Sequence, residues 1–174
     1  MMSEKSKRKE GMEVYQKLAV PGTSHKVLAR MAGIWDTNTV SWFEPGKPPV
    51  TSKGECEQKM LLDGRFLHQK FKGDMMGAAF TGIGITGYDN FKKRYVSVWL
   101  DSMSTGIFYF EGVATKDPQT IVMECRTEDP ARGPVKWRSV TKIMDEDTHL
   151  FEMYITDKSD KEQKMMEITY TRRL

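Results

Sequence analysis

The chain has 174 residues, a formal net charge of +3 and 29% charged side chains. That length fits one domain able to enclose a sizeable core or a cavity, and the small, scattered basic excess excludes the charge footprint of a nucleic-acid binder. No apolar run is long enough to span a membrane, the opening MMSEKSKRKEGM lacks the hydrophobic stretch of a secretory signal, and the two cysteines, Cys56 and Cys125, have no metal or redox spacing, which together predict a reduced, cytoplasmic protein.

Residues 1–20 read as a charged tail in which Lys and Arg outnumber Glu, and residues 21–174 as one domain. Pro21-Gly22 breaks the chain. Thr23 or Ser24 is then placed to N-cap a helix running to about Ala32, with Gly33 at its end and Val27, Leu28 and Met31 as its apolar stripe. So short a helix does not hold alone in water, so it is expected to dock over an open end of the structure formed by the rest of the chain.

Beyond Gly33 the chain is a series of strand-like runs. Ile34–Glu44 is ended by Pro45-Gly46-Lys47-Pro48-Pro49. Val50–Leu62 alternates a wet face (Thr51, Lys53, Glu55, Glu57, Lys59) with a drier one (Gly54, Cys56, Gln58, Met60, Leu62). Asp63-Gly64 is a hairpin signal that pairs Leu62 with Arg65 and puts Leu67, Gln69 and Phe71 on the inner face. Gly73-Asp74 ends that third run. Ala79–Gly87, Arg94–Asp101, Thr105–Ala114, Thr120–Arg126, Val135–Met144, His149–Thr156 and Lys164–Arg173 come next, separated by polar and proline-containing turns. Short strands joined mostly by hairpin-length turns predict an all-β, ten-stranded, up-and-down barrel capped by the short N-terminal helix; closure removes the edges that an open meander would expose.

Gly82-Ile83-Gly84-Ile85-Thr86-Gly87 has the lettering of a dinucleotide-binding loop, but a turn and another strand come after it where that motif needs a helix. It is read as a strand whose missing side chains leave room for a bend, a ligand or a neighbouring aromatic. His25, His68 and His149 have no ligand partner at metal spacing, so no metal site is predicted. His149 is the one residue positioned as a lone haem ligand, yet beside Asp145-Glu146-Asp147 it reads as part of a solvated turn; no cofactor is predicted. No nucleophile motif is present, and Cys56 between Glu55 and Glu57 is not activated. Glu152, Tyr154, Glu167 and Tyr170 on the last two runs are the candidates for an enzyme that uses an interior carboxylate and tyrosine. The bland reading is a polar network that fixes register.

The motifs His25-x-x-Leu28, Gly33-Ile34-Trp35, Met60 to Leu67, Phe80 to Asn90, Trp99-Leu100-Asp101 and Met166 to Arg172 resemble an uncharacterised, mainly bacterial family of unknown function, over about residues 21–173. The resemblance implies a calycin-like barrel, in keeping with a Gly-x-Trp at the first strand and an arginine on the last. It implies no catalytic residues. A ten-stranded barrel is wider than its side chains fill, so the expected function is non-covalent binding of a small apolar or amphipathic ligand. The candidate ligand-binding residues are Trp35, Trp99, Tyr109, Tyr154, Tyr170 and Arg172. Trp35 is expected to pack under the Arg172 guanidinium at the helix end. Trp99 and Tyr109 are expected in the cavity, with Val96, Val98 and Leu100 outside in an interface. A dimeric interaction module with a filled core is the remaining alternative; no nucleic-acid or membrane partner is expected.

Overall fold

The computed structural model describes residues 4–44, 46–113 and 115–174. Met1–Ser3 of the tail, Pro45 of the first turn and Ala114 at the end of the sixth run lie outside the described residues. The segment read as a tail is helical over Glu4–Leu18 (α1), and the capping helix spans Thr23–Arg30 (α2). Gly22, rather than Thr23 or Ser24, is the N-cap of α2. Its N–H donates to His25 Nδ1 at 3.0 Å, so an imidazole takes the place that Glu or Gln holds in the usual capping box.

Ten strands complete the fold: β1 (Gly33–Ser41), β2 (Val50–Leu61), β3 (Phe66–Met75), β4 (Ala78–Asp89), β5 (Arg94–Asp101), β6 (Phe108–Val113), β7 (Thr120–Asp129), β8 (Gly133–Ile143), β9 (Thr148–Thr156) and β10 (Glu162–Arg172). Each pairs antiparallel with its neighbours in sequence, and β1 also pairs with β10, closing an up-and-down barrel. The β2–β3 ladder runs in the register set by Leu62 and Arg65, but its last pair is Leu61 with Phe66. Leu62, Asp63 and Gly64 take φ of 49°, 54° and 84°, and left-handed residues in succession cannot carry a ladder. The Gly82–Gly87 segment is strand throughout, continues to Asp89 and leads into β5, so the helix required by a dinucleotide loop is missing there.

Alternation on β2 and β3 buries Cys56, Gln58, Leu67 and Phe71 and leaves the charged set outside. At one end of the barrel Leu28 and Met31 of the α2 segment pack on Leu67, Phe110, Ile121, Met123, Cys125 and Ile143. Burying this stripe is what holds so short a helix in place. Tyr95 Oη donates to Ser24 O at 3.3 Å, and Trp35 Nε1 to Met31 O at 2.9 Å. The Arg172 guanidinium lies 4.1 Å from the centre of the Trp35 ring, as expected, and donates to Ala32 O at 2.9 Å, Arg30 O at 3.1 Å and Glu146 O at 2.8 Å. One cation therefore covers an indole and satisfies carbonyls that the end of α2 leaves open. Gly33 makes this approach feasible. Its φ is 153°, and a Cβ there would lie 2.3 Å from Arg172 Nη1.

Candidate functional site: a cavity along the barrel axis

From beneath α2 to the hairpins at the opposite end runs a cavity of about 610 Å³, within the range of small-molecule sites. The core is therefore not filled. Its walls are mostly apolar, with Leu67, Phe71, Phe80, Trp99, Phe108 and Phe110 among them, and Met31 and Ile121 line it on the α2 side. At the far end, the hairpin residues Phe43, Val50, Met75, Met76, Met103 and Arg132 form the mouth. Met76 and Met103 are exposed there. Flexible thioethers suit an opening that must admit different shapes.

Polar side chains reach the cavity from several strands, and one cluster of them forms a wall on β2, β3, β9 and β10. Gln58 and Gln69 face each other across β2 and β3. Gln69 Nε2 donates to Tyr170 Oη at 3.3 Å, and Gln58 Nε2 approaches Cys56 Sγ at 3.7 Å. Burial pushes the Cys56 thiol up to about 12, against hydrogen bonds from the two glutamines. Burial, with the neighbouring Cys56, also holds the Tyr170 phenol well above its ordinary value. His149 stacks on Tyr170 at 4.2 Å and meets Trp35 edge-on at 4.4 Å. It is not in a solvated turn: only 3% of it is exposed. Burial, and secondarily the Arg172 cation, pushes its imidazole down to about 3. Among the described residues, the buried side-chain polar atoms without a hydrogen-bond partner are Thr37 Oγ1, Gln58 Oε1, His68 Nδ1 and His149 Nδ1. Gln58 and His149 line the cavity.

Of the sequence candidates, Trp99 and Tyr170 line the cavity, while Trp35 and Arg172 form the plug beside α2. Tyr109 and Tyr154 are corrected: both lie on the outer face. Partners in an antiparallel pair share a face. Tyr109 pairs with Val98, so once Trp99 points inward Tyr109 must point out, and it is 48% exposed. Val96, Val98 and Leu100 are on that outer face, as expected, and Leu100 and Val98 sit opposite Ile83 and Ile85 of β4.

Tyr154 pairs with Arg138, whose guanidinium lies 4.2 Å over its ring. Its hydroxyl donates to Glu152 Oε1 at 3.1 Å. Lys164 bonds both Glu152 and Glu167, and Lys142 reaches Glu152 at 3.1 Å. Burial opposes ionisation of Glu152, but the hydrogen bonds from Lys164 and Lys142 outweigh it and hold the carboxyl below its ordinary range. The carboxylates and Tyr154 proposed for interior chemistry therefore form an external network. The carboxylates that do line the cavity, Asp74, Asp101 and Asp129, lie near its mouth.

Gly82 and Gly84 make room for an aromatic side chain. A Cβ on Gly82 would lie 2.2 Å from Trp99 Cζ2, and one on Gly84 3.1 Å from Trp99 Cε3. The indole lies flat over bare backbone, fixed by its Nε1 donating to Asp101 Oδ2 at 2.7 Å. Gly82→Ala is expected to destabilise the fold by about 1–3 kcal/mol through overpacking. Combining it with Trp99→Leu should give less destabilisation than the sum of the two single changes, as read by urea unfolding of all members of the cycle. Strict additivity would mean that the glycine serves something other than the indole.

Residues 20–172 match the model of a family described as protein of unknown function (DUF1579). No curated protein matches the sequence. Among solved structures, the fold is similar to that of Rv2717c from M. tuberculosis, with a TM-score of 0.63 and 13% identity, covering 89% of this chain and 100% of that one. It is also similar to the S-type phycobiliprotein lyase CPES from Guillardia theta, with a TM-score of 0.59 and 11% identity, covering 88% of this chain and 99% of that one. Likeness at these identities is a likeness of fold.

Proposed function

We propose that this chain, which belongs to the DUF1579 family of unknown function, holds a small apolar or amphipathic molecule inside its barrel. The observation that carries this reading is the cavity of about 610 Å³, apolar over most of its wall with a minority of polar side chains. Such a surface supplies affinity by burying apolar area and orientation through a few hydrogen bonds.

Binding is favoured over turnover by the protonation states of the polar wall. His149 stays neutral down to about 3, Cys56 stays protonated up to about 12, and Tyr170 is held well above its ordinary value. None of these groups exchanges a proton near neutrality, which general acid–base catalysis requires.

Native mass spectrometry of freshly purified protein is expected to show a bound species of small mass that dissociates on activation. Because Trp99 lines the cavity, adding an apolar ligand should change intrinsic fluorescence, and Trp99→Phe should remove most of that change. Protein that carries no adduct and whose emission is unmoved by a panel of amphipathic molecules would count against the reading.

A further inference from the structure

Resting on the binding reading above, we propose that the polar end of the ligand is an uncharged group that both donates and accepts hydrogen bonds, an alcohol or a primary amide, and that Gln58 receives it. Gln58 is only 4% exposed and lines the cavity. Its carboxamide touches Cys56 Sγ on one side, and its Oε1 has no partner. Whichever way the amide is turned on the sulfur, one of its polar atoms stays buried without a partner, on a residue that lines the cavity. A buried amide left dry is costly, and a ligand group that meets it recovers that cost.

Gln58 also sits beside groups of the same kind. Gln69 lies directly opposite it, bonded to Tyr170, and Tyr170 stacks on His149, whose own Nδ1 is buried and unpartnered. The wall is thus a run of neutral hydrogen-bonding side chains.

Charge excludes the commoner amphiphiles. Among the described residues lining the cavity, the cation is Arg132, which lies at the mouth and is paired with Asp129 at 3.9 Å. A carboxylate carried down to Gln58 would meet no cation lining the cavity there, because the nearby Arg172 is committed in the plug to the carbonyls of Arg30, Ala32 and Glu146, and it would first pass Asp74, Asp101 and Asp129. An ammonium would find no carboxylate on the polar wall. A wholly apolar ligand would leave the amide dry, and sites built around a hydrogen bond reject analogues that lack it.

The test is a titration of the whole protein with decanol, decanamide, sodium decanoate and methyl decanoate, which share one chain and differ in the head group. Intrinsic fluorescence and calorimetry are the readouts. The wild type is expected to bind decanol and decanamide about tenfold or more tightly than decanoate or the ester. Gln58→Met, similar in length but without the amide, is expected to lose that preference while still binding the ester, its melting temperature showing that it is folded. Gln58→Asn, which withdraws the amide by one methylene, is expected to weaken the preference without abolishing it. Equal binding of all four probes, or a preference for decanoate, overturns the head-group inference and leaves the binding reading standing. A preference that survives in Gln58→Met overturns the assignment to Gln58. Failure of all four to bind overturns both.

Discussion

Lowering the pH from 6.5 to 4 is expected to destabilise the wild-type protein by about 3 kcal/mol more than a His149→Phe variant. The imidazole lies between Trp35 and Tyr170 with Arg172 nearby, and burial, with that cation, depresses it from 6.5 to about 3. In the unfolded chain the same group takes up its proton as the pH falls through its ordinary value. Between the two values the unfolded state therefore binds more protons than the native one, and stability falls with the pH. The contribution is complete above the ordinary histidine value and is lost progressively as the pH approaches the native one. Phenylalanine keeps a flat ring between the same neighbours and does not titrate. Carboxylates that also lose stability in acid do so in both proteins and cancel in the difference. Urea unfolding at several pH values measures it; parallel curves for the two proteins would show that His149 is free to charge in the native state.

Arg172→Ala is expected to lower stability by about 3 kcal/mol, the sum expected of charge-assisted hydrogen bonds and one cation–π contact. For a domain of this length that corresponds to a fall of roughly 6–12 °C in melting temperature. The side chain donates to carbonyls from two separate segments, Arg30 and Ala32 at the end of α2 and Glu146 in the β8–β9 turn, while its plane covers Trp35. Its removal leaves those carbonyls without a partner and uncovers the indole at once. Arg172→Lys should recover less than half of the loss, because an ammonium cannot reproduce a flat fork that serves several acceptors. Differential scanning calorimetry of the three proteins decides the matter. A fall of only a degree or two in Arg172→Ala would mean that the helix is held by its apolar stripe and its bonds to Tyr95 and Trp35, without the arginine.

The fold was legible because local and global signals agree. Turn residues mark each reversal, the alternation on Val50–Leu61 separates charged from apolar positions, and Asp63-Gly64 fixes the register of its hairpin. The plug was legible too, since Gly33, Trp35 and Arg172 are unusual residues at the two strands that close the barrel. The cavity wall was harder. Phe108-Tyr109-Phe110 is aromatic at every position, so alternation alone does not say which residue points in. The answer comes from Tyr109 being the partner of Val98, a relation across strands rather than along one. Tyr154 and Glu152 misled for a related reason, because the outer face is shielded by Lys142, Lys164 and Arg138 and buries a carboxylate without being interior. His149 was hidden by its acidic neighbours in sequence, which say nothing of the Trp35 and Tyr170 rings that enclose it. One signal lay in plain view: two glutamines on the drier faces of a single hairpin, in register with each other.

The pairing of β1 with β10 also governs when this barrel can form. Arg172 meets Ala32 across 140 residues of chain, so closure joins positions made far apart in time during synthesis. Contacts so distant in sequence make folding slow, because the entropy of bringing them together is lost before they contribute. A nascent chain that has reached β9 is a curled ribbon with two bare edges and an apolar lining, the kind of surface on which neighbouring chains associate. Only when the last strand emerges can the ribbon be sewn shut. The interval between those two moments, rather than the stability of the finished barrel, is where this protein is most exposed to aggregation.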